Sequence, residues 1–106
     1  MAKIPDKVNN IITKYLLALN NNNINVNKAI LFGSFARGNY NTESDIDVAI
    51  VSDSFEGNRI KDRSKIRAIT LSISSNIEVI PLSLKDFNEK DPFVEEIINT
   101  GVDILQ

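Results

Sequence analysis

The sequence predicts one α/β domain spanning residues 1–106, with helices laid over a small mixed sheet in two layers. Three observations carry that expectation. Helix-periodic segments alternate along the chain with short runs rich in β-branched residues, as when helices cover a sheet. The 106 residues suffice for one modest core and not for two. Hydrophobic residues make up 42% and charged residues 25%, an ordinary balance for a globular chain.

The elements follow in order. A helix is expected from about Pro5 to Leu19, where Val8, Ile11, Ile12, Tyr15, Leu16 and Leu19 recur at helical spacing. Pro5 suits its start, and the polar run Asn20-Asn21-Asn22-Asn23 ends it. The apolar run Ala29-Ile30-Leu31-Phe32 reads as a buried strand leading into Gly33. After a loop with a short helix, a second strand covers Ile46 to Val51. A long helix spans about Arg59 to Ser75, with Ile66, Ile69 and Ile73 on one face. A third strand, Ile77 to Ile80, is closed by Pro81. The last helix takes Asp91 as N-cap, Pro92 as first residue and Gly101 just past its end.

Composition narrows the chemistry. No apolar run approaches the length of a membrane span, and Met1 to Asp6 lacks the apolar core of a secretory signal. Cysteine is absent, which excludes disulfides and thiolate metal sites. Histidine is absent too, removing the commonest general base and zinc ligand. Any metal is therefore held by oxygen, and a hard cation such as magnesium is the fitting one. A net charge of -2 predicts no general attraction to nucleic acid. The expectation is a cytoplasmic protein whose chemistry rests on carboxylates.

The chemistry concentrates in Gly33-Ser34-Phe35-Ala36-Arg37-Gly38, followed by Ser44-Asp45-Ile46-Asp47-Val48. A strand that ends in Gly-Ser before a helix start presents backbone N–H groups that favour phosphate. Ser34 adds a hydroxyl, and Arg37 a planar fork for a phosphate oxygen. Asp45 and Asp47 are two apart, so a strand sets them on one face. Two such carboxylates repel unless a cation lies between them. Two divalent ions held there, about 4 Å apart, would grip both oxygens of an in-line phosphoryl displacement. Glu78, an acid interrupting the apolar third strand, is the candidate third carboxylate and proton acceptor.

The pattern Gly33-Ser34, ten residues, then Asp45-x-Asp47 resembles the signature of the polymerase-beta-like nucleotidyltransferase superfamily. In length and detail it is most similar to the minimal nucleotidyltransferases of bacteria and archaea. The segment Glu78-Val79-Ile80-Pro81-Leu82-Ser83 and the ending from Phe93-Val94-Glu95-Glu96-Ile97 to Gly101 look like that group's C-terminal half. Glu78 departs from the pattern, because many relatives carry Asp there. The resemblance implies the nucleotidyltransferase fold and magnesium-dependent transfer of a nucleotide, commonly AMP from ATP, to a hydroxyl. It also implies a partner, a helical HEPN ribonuclease toxin, with the transferase as antitoxin and a toxin tyrosine as acceptor. Asp45, Asp47 and Glu78 would then be catalytic and metal-binding, and Gly33, Ser34 and Arg37 nucleotide-binding.

Two other function classes stand beside this one. A small-molecule nucleotidyltransferase of the aminoglycoside-modifying kind shares the motif but usually carries an added acceptor domain. A non-catalytic module could instead neutralise its partner by covering it. The basic run from Arg59 to Arg67 does not form one face, since residues two apart on a helix diverge. Arg59, Arg63 and Arg67 alone align at i, i+4 and i+8; a solvated face is the first reading, and use of the stripe for the nucleotide or an acidic partner surface is the second. Asp53, Asp62 and Asp86 read as surface or capping residues.

Overall fold

The computed structural model describes residues 4–104, so the start of the N-terminal stretch, Met1 to Lys3, lies outside the described residues. The elements are α1 (Asp6–Asn21), β1 (Lys28–Phe32), α2 (Ser34–Arg37), β2 (Ile46–Val51), α3 (Arg59–Ile73), β3 (Ile77–Leu82), α4 (Leu84–Glu89), α5 (Pro92–Thr100) and β4 (Val102–Asp103). The four strands form one mixed sheet in the order β3-β2-β1-β4. β1 runs antiparallel to β2 and β4, whereas β2 and β3 are parallel and joined through α3.

Helix α1 buries Val8, Ile12, Tyr15 and Leu19, the spacing that its sequence period demands. It lies beside α3 on one face of the sheet. Tyr15, Leu19, Val48, Ile50, Ile66 and Val79 share that core. Tyr15 Oη and Thr70 Oγ1 share a buried hydrogen bond of 2.7 Å between the two helices. The alternate residues of the strands, Ile30, Ala49, Val51 and Leu82, face the other way and pack against Val94 and Ile97 of α5. Helix α5 is short, so it shields only part of this second face. The end of the sheet near Asp47 and Glu78 is left open beneath it.

Several boundaries moved. Pro81 does not close β3: it pairs with Ile50, and the strand continues to Leu82. β3 is an edge strand, where a missing N–H costs no ladder bond on the outer side. Helix α4 escaped the periodicity because it buries no residue. It is held instead by a capping box in which Ser83 and Asp86 satisfy each other's backbone N–H groups. β4 has only two residues and exists through its pairing with Ile30 and Leu31.

Asp86, read from the sequence as a surface or capping residue, is a cap. Asp62 is a cap of another kind, buried to 1% exposure. Its two carboxylate oxygens accept from the N–H groups of Glu56 and Gly57, each at 2.9 Å, and pin the loop between β2 and α3.

Candidate active site

The site grows out of the ends of two antiparallel strands. β1 ends at Phe32 and turns sharply at Gly33, whose φ of 74° and ψ of -151° are open only to glycine. One turn of helix, α2, follows and is closed by Gly38 in the left-handed conformation. The first N–H groups of any helix lack intrahelical partners, so α2 presents donors just beyond the Gly33 turn. Ser34 Oγ makes no hydrogen bond among the described residues and is half-buried beside them.

The chain then returns through a loop with its own internal order. Tyr40 stacks on Phe35 with ring centres 4.7 Å apart. Asn41 Oδ1 accepts from the Glu43 N–H at 2.8 Å, and Ser44 Oγ accepts from the Asn41 N–H at 2.9 Å. That turn delivers Asp45, exposed and one residue ahead of β2, and then Asp47 inside the strand. In register, Asp47 stands between Phe32 of β1 and Glu78 of β3.

Gly33 and Asp47 are in the closest contact of the site. A Cβ added at Gly33 would overlap Asp47 Oδ2 and stand 3.0 Å from its Cγ and 3.2 Å from its Cβ. Glycine here serves the approach of Asp47 as well as the turn. The Asp47 carboxyl is pushed above the ordinary carboxylate range, first by loss of hydration, then by the charges of Asp45 and Glu78, with Arg37 opposing. All four side chains therefore act on one spot, where negative charge is in excess.

Glu78 is less committed. It occupies the predicted row beside Asp47, but its side chain is 56% exposed and reaches Arg63, with Oε1 3.9 Å from Nη2. Among the described residues, no three Asp or Glu side chains converge tightly enough to hold one metal ion between them. The donor set nevertheless fits a hard divalent cation. Such an ion needs only one or two protein carboxylates when phosphate oxygens and water complete its shell. It would also relieve the charge that burdens Asp47.

A cleft of about 280 Å³ opens at the pair, lined by Gly33, Arg37, Asp47, Phe93, Glu96 and Thr100, among others. The wall supplied by α5 was not visible in the sequence as part of the site. Asp91 and Pro92 announced the helix, but only the tertiary fold brings its Phe93, Glu96 and Thr100 over Asp47.

The match with known proteins falls on this frame. A family profile described as polymerase beta, nucleotidyltransferase covers residues 12–106. The chain belongs to this nucleotidyltransferase family. The nucleotidyltransferase is also similar to two proteins of Methanocaldococcus jannaschii, each named as a candidate protein adenylyltransferase. It is 37% identical to one over 81 residues, which is 74% of this chain and 79% of that protein. The other match is 64% identical over 28 residues, 26% and 28% of the two chains.

Three solved structures share the fold. A toxin–antitoxin structure with AMP-PNP matches at TM-score 0.58 and 19% identity, covering 88% of this chain and 71% of that one. A candidate nucleotidyltransferase from Sulfolobus solfataricus matches at 0.55 and 22%, covering 100% and 92%. The toxin–antitoxin MntA-HpeT, in a mutant with two aspartates two positions apart changed to glutamate, matches at 0.51 and 20%, covering 92% and 72%. The sheet packed by helices is thus the nucleotidyltransferase fold that the motif implied. No helix among the described residues is long and apolar enough to cross a membrane.

Proposed function

We propose that this nucleotidyltransferase works as a single-domain cytoplasmic protein adenylyltransferase and antitoxin. With magnesium it transfers AMP from ATP to a hydroxyl, the phenol of a tyrosine on a HEPN-type toxin. The observation that carries this reading is the packing of Gly33 directly against Asp47, which sets the Gly33-Ser34 turn beside that carboxylate. The relatives support it: those in Methanocaldococcus jannaschii bear adenylyltransferase names, and two structural neighbours are toxin–antitoxin complexes, one with AMP-PNP.

The residues divide the work as follows. The N–H groups at the start of α2 and Ser34 Oγ hold phosphate oxygens of ATP, and Arg37 meets another from the cleft wall. Asp45 and Asp47 are the ligands for magnesium, which when bound supplies Lewis acidity at the phosphates and lowers the pKa of a nearby hydroxyl. Phe93, Glu96 and Thr100 of α5 wall the cleft opposite Gly33 and Arg37. The acceptor oxygen forms a bond to the α-phosphorus while the bond from that phosphorus to the bridging oxygen breaks. Pyrophosphate leaves with the electron pair, and Glu78 receives the proton of the hydroxyl.

The test is to incubate the protein, magnesium and α-phosphate-labelled ATP with a HEPN-type toxin. Label should appear on that protein and be released as AMP by a phosphodiesterase. Label in a small compound instead would shift the assignment to a small-molecule transferase, and no label anywhere would sink the transferase reading.

A further inference from the structure

The stripe Arg59, Arg63, Arg67 has no part in the reaction above, and the structure sets it in unusual company. Two of the three are held in place. Arg59 lies 3.9 Å from Asp91 and 5.1 Å over the ring of Phe93. Arg63 donates to the Val79 carbonyl at 2.9 Å and reaches Glu78. Arg67 has no ion pair or hydrogen bond among the described residues. On the same side of α3, Ile60 is 81% exposed and Leu71 54%. Residues 60, 67 and 71 fall within one narrow stripe of a helix, so these apolar groups flank Arg67.

A groove of about 490 Å³ runs here, lined by Arg59, Ile60, Arg63, Arg67, Ile80 and Phe93. Phe93, 40% exposed, also lines the cleft at Asp47, so the two hollows share a wall. The surface is therefore continuous from the carboxylates across Phe93 to the outer face of α3.

We propose that this surface docks the protein acceptor through an acidic segment. The inference rests on the adenylyltransferase reading and deepens it. Charge decides the occupant: a local arginine stripe on a chain of net charge -2 complements carboxylates. Arginine mixed with exposed aromatic and aliphatic side chains is the composition of a protein interface. A nucleic acid would gain little from the exposed Ile60 and Leu71, whereas a protein segment would bury them. The donor's phosphates belong at Gly33 and Arg37, across Phe93 from the groove.

Fluorescence anisotropy with labelled poly(Glu,Tyr), an acidic copolymer rich in tyrosine, reads docking without requiring catalysis. The wild type should bind it with an affinity that falls as salt rises. Arg67→Glu combined with Ile60→Ser should weaken binding roughly tenfold, and Leu71→Ser alone by less. Lys14→Glu, on exposed surface of α1, should leave it within about twofold, because its charge lies outside the groove. Absence of binding, equal losses at Lys14 and Arg67, or tighter binding of oligothymidylate would each overturn the proposal. Transfer of label from ATP to the copolymer is scored separately. Its absence with docking intact counts against the transferase reading and leaves the docking surface standing.

Discussion

Replacing Gly33 by alanine probes two demands at one atom. The backbone at Gly33 has φ 74° and ψ -151°, where a Cβ is strained by about 1–3 kcal/mol. The new methyl group would also overlap Asp47 Oδ2, so either the turn or the carboxylate must move. Overpacking of that kind costs about 1–3 kcal/mol more. A combined loss of roughly 3 kcal/mol should lower the melting temperature by about 12–24 °C in a domain of this size. The functional loss should be larger than the instability alone, because a displacement of ~1 Å at a reacting group costs about 100-fold in rate. Gly57→Ala is the control. Its φ of 101° brings strain, but its added Cβ would meet Ser83 Oγ at an ordinary 3.5 Å, far from the site. Thermal melts followed by circular dichroism, with label transfer assayed well below both midpoints, separate the effects. If Gly33→Ala transfers label as well as Gly57→Ala does, Gly33 does not position Asp47 and the reasoning is wrong.

Three further outcomes follow from the same contacts. The raised Asp47 pKa means that the native state binds its proton more tightly than the unfolded chain, so stability is lost as pH rises through the unfolded value, 3.8, to the higher folded one. With metal chelated, Asp47→Asn should therefore raise the melting temperature at pH 7, by a margin that solvent screening keeps modest. This gain should shrink toward acid pH, and magnesium should stabilise the wild type more than the variant; an unchanged or lower melting temperature would contradict the crowding of charge. Glu78→Gln should lower kcat by about 100-fold or more and leave the KM for ATP nearly unchanged, as expected of a proton acceptor that does not hold the nucleotide. Asp62→Ala leaves the N–H groups of Glu56 and Gly57 without their partner and should cost about 2–4 kcal/mol in a urea titration.

The strongly patterned parts of the fold were legible in the sequence. The α1 stripe, the β-branched run of β2 and the Asp91-Pro92 start of α5 all stand where local chemistry placed them. The boundary at Pro81 did not hold, because whether proline ends a strand depends on its place in the sheet, and that is a tertiary fact. Helix α4 left no periodic trace, since it buries nothing, and its Ser83–Asp86 capping box went unread. Gly33, Ser34, Arg37, Asp45 and Asp47 could be nominated from residue type and spacing. That Gly33 touches Asp47 follows from the pairing of β1 with β2, which no spacing rule supplies. The α5 wall and the exposed apolar residues beside the arginines were invisible for the same reason: each depends on what a helix is packed against.

The account stands most directly on the Asp45 and Asp47 carboxylates. The decisive measurement is transfer of label from α-phosphate-labelled ATP by wild type and by the Asp45→Asn/Asp47→Asn double variant, with magnesium present and folding verified by circular dichroism. Loss of at least ~1,000-fold in rate with the fold retained is the expected result, since the ligands that bring the metal to the phosphates would be gone. Transfer by the double variant within tenfold of wild type would show that the carboxylate pair does not carry the chemistry.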